Sequence, residues 1–455
     1  MNSEQATAFP GGRRAAEQRL SALDPARYAA TRNHLDGAVT RLSPYIRHGV
    51  LTLAEVRNAV FAGLRERGYV TPERQAEGQR IAGKLINELG WRDYWQRLWR
   101  QLGDGIWHDL EPLKTGHPAT SYSPGLPADV SEARTGLACI DAFSRQLQEI
   151  GWLHNHARMW LGSYLVHWRR VRWQAGARWF LQHLLDGDPA SNNLSWQWLA
   201  SSFSSKPYFF NRANLERFSS GRYCSGCPLA DRRGQGGCPF AASYETLQAQ
   251  LFQPLNPRVE APAPPQATRG GPLAPPSTAG PPPLRPLVWV HGEALGPGNP
   301  ALLAHPHAPA LFVFDTELIT GRTAITGGPA TGHGRPVPLA PGRLRFLREC
   351  LSELPVEVRQ GDVAAELLAV ASSLGADGIV TSRGVDPRFA AIASHIAQAL
   401  PLRILEPEPF VALPFEGNGA PDLRRFSRYW RQGEPLVWQS LTEAKPIEPL
   451  LIEST

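Results

Sequence analysis

Residues 151–159, GWLHNHARM, and 186–201, DGDPASNNLSWQWLAS, hold polar side chains of types that a helix core does not need. At helical spacing Arg158 and Met159 stand three and four positions after Asn155, so a carboxamide, a guanidinium and a thioether share one face. Asp186, Asp188, Asn192 and Asn193 add carboxylates and amides among tryptophans. Such groups are costly to bury without partners, so their concentration points to a bound polar ligand. The plainer alternative for Asp186 and Arg158 is an ion pair that fastens two helices. A second chemistry lies at Cys224-Ser225-Gly226-Cys227, followed by ten residues and Cys238-Pro239. Two thiolates on a tight turn and a third nearby need a fourth ligand, for which Cys139 is the candidate, and zinc and iron–sulfur both suit the pattern. Cys350 reads as a core thiol in an apolar helix.

The elements that must position these groups are set by two uneven distributions. Eleven of the 14 tryptophans fall between Trp91 and Trp198, and twelve prolines fall between Pro254 and Pro286. Over residues 11–252 apolar side chains recur at helical spacing, as in Trp91, Trp95, Leu98 and Trp99, and strand-like alternation is scarce. Residues 253–285 are Pro, Ala and Gly with few large apolar groups, which predicts an extended, semi-rigid linker. Over 286–409 short β-rich runs (287–290, 311–314, 356–358, 378–380, 402–405) alternate with amphipathic helices (343–354, 363–374, 389–400), the pattern of a parallel sheet covered by helices. Residues 410–455 read as a tail with one aromatic cluster, Phe426, Tyr429 and Trp430.

At 455 residues the chain has room for two or three domains with full cores. No run approaches the ~18 consecutive apolar residues of a membrane helix, and the first residues lack the apolar core of a secretory signal. The expectation is a cytoplasmic protein with no membrane partner. Five cysteines exclude a disulfide framework, and a net charge of +6 suits a polyanion without requiring one.

The two polar stretches, with TRLSPYIRHGVLT at 40–52 and INELGWRDYW at 86–95, closely resemble the flavin-binding domain of the DNA photolyase and cryptochrome family. The resemblance spans most of residues 11–220 and implies a mostly α-helical FAD-binding domain, which in this chain is followed by a smaller α/β domain. It implies that Tyr28, Thr40, Arg41, Leu42 and Ser43 hold the FAD diphosphate and ribityl, which suits hydroxyls and amides near a helix start. Asp186, Gly187 and Asp188 would contact the ribose and adenine side, Arg158 would pair with Asp186, and Asn155 would border the flavin. Asn192 would face flavin N5, where an amide can donate or accept.

In the family's cyclobutane-dimer repair enzymes a Glu, two Trp, an Asn and a Met form the lesion pocket, matched here by Glu88, Trp91, Trp198, Asn155 and Met159. That is the chemistry of a flipped-base pocket, with aromatic faces for stacking and hydrogen-bonding groups for the base edge. Core packing is the alternative for Trp91 and Trp198. Arg32 and Arg92 would meet flanking phosphates, and His156 stands where repair enzymes commonly place Arg. Trp196 and Trp173 fall on the family's first two electron-relay positions, with Thr120 at the third, so that carrier is missing or displaced to Tyr122 or Trp107.

Residues 204–240 resemble the segment that carries a [4Fe-4S] cluster in one bacterial branch of the family, which implies Cys139, Cys224, Cys227 and Cys238 as its ligands in preference to a zinc knuckle. That branch usually has paired His where this chain has Asn155 and His156. Residues 287–302 and 311–315 resemble the opening strands of the family's antenna domain, which normally comes first, and 422–432 resemble the connector between the two domains. A circular permutation with its seam in the linker accounts for the order. An antenna chromophore is not readable from these residues.

The activity implied is that of a deoxyribodipyrimidine photo-lyase, in which reduced FAD excited by blue light splits pyrimidine dimers in damaged single- or double-stranded DNA by electron transfer. The alternatives are a cryptochrome-like photoreceptor without repair and a light-independent iron–sulfur module that binds nucleic acid. Nothing in the sequence sets the oligomeric state.

Overall fold

The computed structural model describes residues 9–71, 73–230, 237–254, 282–321 and 336–443. Most of the expected linker and the end of the expected tail lie outside the described residues.

The first half is helical. Helices α1 (Pro25–Thr31), α2 (Ser43–Arg47) and α3 (Leu53–Glu66) lead into the long α4 (Gln75–Leu102), and α5 (Ala138–Ile150), α6 (Asn155–Ser163), α7 (Trp173–His183) and α8 (Pro189–Ala200) follow. Their starts are written locally. Asp24 accepts from the amides of Ala26 and Arg27, Thr52 and Glu55 form a reciprocal capping box, and Asp188 accepts from the Ser191 amide with Pro189 in the first turn. Gly151 ends α5 in the left-handed conformation, φ 72°, and this reversal sets the start of α6.

In the second half five parallel strands run in the order β3-β2-β1-β4-β5, with β1 Pro286–Val290, β2 Ala310–Asp315, β3 Glu357–Gly361, β4 Gly378–Ser382 and β5 Leu402–Leu405. Val288 pairs with Ala310 on one side of β1 and with Val380 on the other. β1, β2 and β4 are buried throughout because helices cover both faces, which is why they read as unbroken apolar runs, whereas the edge strand β3 is largely exposed. Helices α9 (Pro341–Leu351), α10 (Val363–Leu374) and α11 (Pro387–Ala399) supply the cover. These strands and helices fall within a few residues of their sequence-based bounds.

The tail departs from its expected form. Phe426–Glu443 is one continuous helix, α12, packed on α4 and α3. Its apolar residues Tyr429, Trp430, Val437, Trp438 and Leu441 share a buried face, a periodicity hidden in the sequence by Gly433 and Pro435. α12 approaches α4 closely because position 90 is glycine, where an added Cβ would fall 2.3 Å from the Trp430 ring. One apolar cluster runs through both halves, joining Leu42, Leu89 and Leu181 to Val288, Phe346 and Trp430.

Candidate functional site

The turn between α7 and α8 carries two buried carboxylates on either side of Gly187. Arg158 Nη2 donates to Asp186 Oδ2 at 2.8 Å, while Asp186 Oδ1 is buried with no partner. Burial alone would raise the Asp186 carboxyl, but Arg158, helped by the Ser43 hydroxyl and Arg92, holds it below the usual carboxylate range. Asp188 caps α8, accepts from Gln96 Nε2 on both oxygens at 2.9 Å, and stands 3.9 Å from Arg47 and 4.0 Å from Arg92. It too is held below the usual range, these guanidiniums outweighing burial.

Asn192 donates to the Ala177 carbonyl and to Asn193 Oδ1, both at 3.0 Å, and Asn193 Nδ2 and Ser191 Oγ are buried without partners. Buried polar atoms are normally satisfied, so the unpartnered Asp186 Oδ1 has hydrogen-bonding capacity to spare. Residues 40–43 come to the same region, where Trp152 Nε1 donates to Ser43 Oγ at 3.3 Å and the Arg41 guanidinium lies 5.5 Å above the Trp152 ring. Arg41 has a left-handed φ of 53°, and the Leu42 amide bonds Thr40 Oγ1.

The second group of expected residues faces outward from α4, α6 and α8. Asn155 is exposed and donates to Met159 Sδ at 3.4 Å, and Trp198, 38% exposed, packs beside Tyr208 at 5.8 Å. Core packing therefore does not account for Trp198. Glu88 is tied to Arg32 by a 2.8 Å ion pair, and Glu88 raises the half-buried Tyr28 phenol further than burial does alone.

In this structure the three residues expected at flanking phosphates all have protein partners. Arg92 turns inward toward Asp188, and Arg32 is engaged by Glu88. His156 packs against Phe218 and Trp160, and burial, then Arg32 and His34, push its pKa down to about 4, so it offers no cation near neutral pH. A one-residue reading of side-chain type could not foresee which way these groups point.

Trp196 and Trp173 are both buried, and Trp173 Nε1 donates to Asp109 Oδ1 at 2.6 Å. Thr120 lies exposed in a short 3₁₀ turn, whereas Tyr122 and Trp107 are buried. The thiols of Cys139, Cys224, Cys227 and Cys238 are free and line one void of about 10 Å³. No three His, Cys, Asp or Glu side chains among the described residues stand close enough to hold a metal ion.

Between the halves lies a cavity of about 540 Å³, bounded by Trp99 and Trp107 on one side and Trp289, Phe314 and Phe389 on the other. It opens at the carboxyl ends of β1 and β2, the usual ligand side of an open parallel sheet. Tyr28, Asn155 and Asn192 do not border it.

Residues 85–222 match the FAD binding domain of DNA photolyase. The matched segment contains Asp186, Arg158 and Asn192 together with Glu88, the half-buried Trp91 and the exposed Trp198. The deoxyribodipyrimidine photo-lyase of Streptomyces griseus is 33% identical over 168 residues, 36% of this chain and 32% of the relative. That of Escherichia coli is 36% identical over 125 residues, 27% of this chain and 26% of the relative. The chain thus spans about a third or less of the length of these relatives. Among solved structures, a class III photolyase from Agrobacterium tumefaciens is 21% identical with a TM-score of 0.42, covering 55% of this chain and 57% of that one. A Synechocystis cryptochrome is 25% identical with a TM-score of 0.38, covering 46% and 44%. No described helix is long and apolar enough to cross a membrane.

Three residues that touch the turn at Gly187 and Asp188 have no role in the sequence-based expectations: Gln96, Arg47 and Arg343. Gln96 lies eight positions after Glu88, on the same face of α4, and that spacing was a usable signal. Arg343 offered none, because it comes from the far half of the chain.

Proposed function

We propose that this chain is a light-driven flavoprotein that repairs cyclobutane pyrimidine dimers in DNA. The observation that carries the reading is the buried Asp186, one oxygen paired with Arg158 and the other unpartnered, inside the segment that matches the photolyase FAD domain. Asp186, Asp188, Arg158, Ser43 and Asn192 would hold FAD. When bound, reduced and excited by blue light, FAD supplies the electron that splits the dimer. Glu88, its carboxyl pushed up by burial against the pull of Arg32, would hydrogen-bond the lesion, and Trp91 and Trp198 would cover the lesion's apolar faces. Asn155 and Met159 would close the pocket edge. Trp173 and Trp196 would pass electrons inward. The test is dimer content of ultraviolet-irradiated DNA after blue-light exposure with photoreduced protein. Dimers left intact would refute repair.

The placement of a parallel sheet after the helical half, with α12 returning onto α4, supports the permuted order. A [4Fe-4S] cluster is proposed at Cys139, Cys224, Cys227 and Cys238, which border one void but do not stand close enough in this structure to hold a metal ion. About four irons per chain is the expected assay result. One zinc and no iron would sink it.

A second reading, a cryptochrome-like photoreceptor, is favoured by the inward turn of Arg92 and the neutral His156, which leave less positive charge for DNA. Equal binding of damaged and undamaged DNA would select it over repair.

A further inference from the structure

We infer that Arg343, supplied by the α/β half, is a positioning residue for the flavin-holding turn at Asp186–Asp188, acting through the Gly187 carbonyl together with the Glu293–Arg47 pair. The inference rests on the reading of that turn as part of the flavin site. Arg343 lies outside the segment that matches the photolyase FAD domain.

The geometry converges on one atom. Arg343 Nη2 donates to Gly187 O at 3.1 Å, and Arg47 Nε donates to the same oxygen at 3.1 Å. A carbonyl oxygen has two lone pairs, and here both are taken by guanidiniums. Arg343 Nη1 also donates to the Leu181 carbonyl, so one planar group spans the last turn of α7 and the following loop. Arg47 is itself aimed by Glu293, in the loop after β1, through a 2.8 Å ion pair. Both restraints on Gly187 therefore originate in the α/β half, one directly and one through Glu293.

Packing makes the contact specific. Arg343 is 5% exposed, and a Cβ added to Gly187 would fall 2.8 Å from Arg343 Nη1 and 2.9 Å from the Leu184 carbonyl. The turn cannot shift toward Arg343, and without Arg343 it loses the wall against which it rests. Gly187 is the only residue between Asp186 and Asp188, so any displacement of its peptide moves both carboxylates. Burial, and then Arg47, lower the Arg343 pKa, while Asp186 and Asp188 raise it, which shows that these charges share one poorly solvated region. The helical half thus carries the flavin ligands while the other half fixes their position.

The experiment measures FAD affinity of the full chain by flavin fluorescence, with visible circular dichroism of the bound flavin as a second readout. Arg343→Gln is expected to weaken FAD binding at least about tenfold and to alter the flavin dichroism. Arg343→Lys, which keeps the charge but cannot span both carbonyls, is expected to recover part of the affinity. Glu293→Gln, partly exposed and gentler on the fold, is expected to weaken binding severalfold by releasing Arg47. If Arg343→Gln does not fold, Glu293→Gln decides. Affinity and dichroism equal to wild type in the folded variants would overturn the inference. Wild-type protein that binds no FAD would instead overturn the flavin reading on which it rests.

Discussion

Phe426 of α12 lies flat on Trp91 of α4, with ring centroids 3.8 Å apart and planes 12° from parallel. Trp430 continues the stack at 5.6 Å and 15°. A residue from the end of the chain therefore holds one wall of the proposed lesion pocket. Phe426→Ala should lower unfolding free energy by roughly 2 kcal/mol, less than the ~3–5 of a fully buried ring because Phe426 is half-buried, and Phe426→Leu by about half as much. Urea unfolding followed by tryptophan emission checks it. An unchanged midpoint in Phe426→Ala would remove α12 from the account of the pocket.

His48 links the halves, with Nδ1 2.7 Å from the Gly292 carbonyl and Nε2 3.0 Å from the Leu185 carbonyl. Burial, then Arg47 and Arg343, push its pKa down to about 3, so the ring is neutral and donates to one of the two. The folded value lies below the unfolded ~6.5, so the unfolded chain binds more protons as pH falls from there, at up to about 1.4 kcal/mol per pH unit. Asp386, pushed up to about 6 by burial and Glu293, works in the opposite direction below that pH. The difference between wild type and His48→Gln isolates the histidine. The stability of wild type relative to the variant should fall as pH drops from 6.5 to 4, and parallel curves would contradict this.

Asp188 is asked to cap α8 and to face two guanidiniums. Asp188→Asn keeps an oxygen for the Ser191 amide but removes the charge opposite Arg47 and Arg92, whereas Asp188→Ala removes both. Loss of the cap costs about 1 kcal/mol and an uncompensated buried charge ~3–5 kcal/mol, so Ala should be the worse of the two by about the cap. Chemical denaturation of both variants tests the order. Equal stability would show that the cap at Asp188 is dispensable.

The α/β half was legible almost residue by residue because doubly covered strands must be apolar throughout and their helices must be amphipathic. Val288 and Val380, paired in the sheet, both sit in runs that the sequence marks plainly. The Asp186–Arg158 pair was legible as a pair, since both residue types are rarely buried unless matched. What escaped was direction and long-range partnership. Arg92 and Arg32 have the right type for phosphate contacts, yet each is captured by a carboxylate on a neighbouring element, and no local pattern records that. The same holds for Arg343, whose partner Gly187 lies 156 positions away.

The electron relay gives the last prediction. Trp196 packs edge-on to Phe180 at 5.0 Å, and Trp173 hands its indole N–H to Asp109. Beyond Trp173 the two aromatic options differ electrostatically. The Arg178 guanidinium lies 5.6 Å from the Trp107 ring, a charge that disfavours a tryptophan cation there. Tyr122 feels Arg170 more than Asp109, but it bonds Thr115 Oγ1 at 2.8 Å, so its hydroxyl proton has an acceptor within reach. With FAD loaded, blue-light photoreduction should fall to near background in Trp196→Phe and Trp173→Phe, fall clearly in Tyr122→Phe, and change least in Trp107→Phe. Steady illumination with an external thiol, read at the flavin absorbance, gives the ranking. A larger loss in Trp107→Phe than in Tyr122→Phe would reverse the assignment and place the exit of the relay at the cavity between the halves, which Trp107 borders.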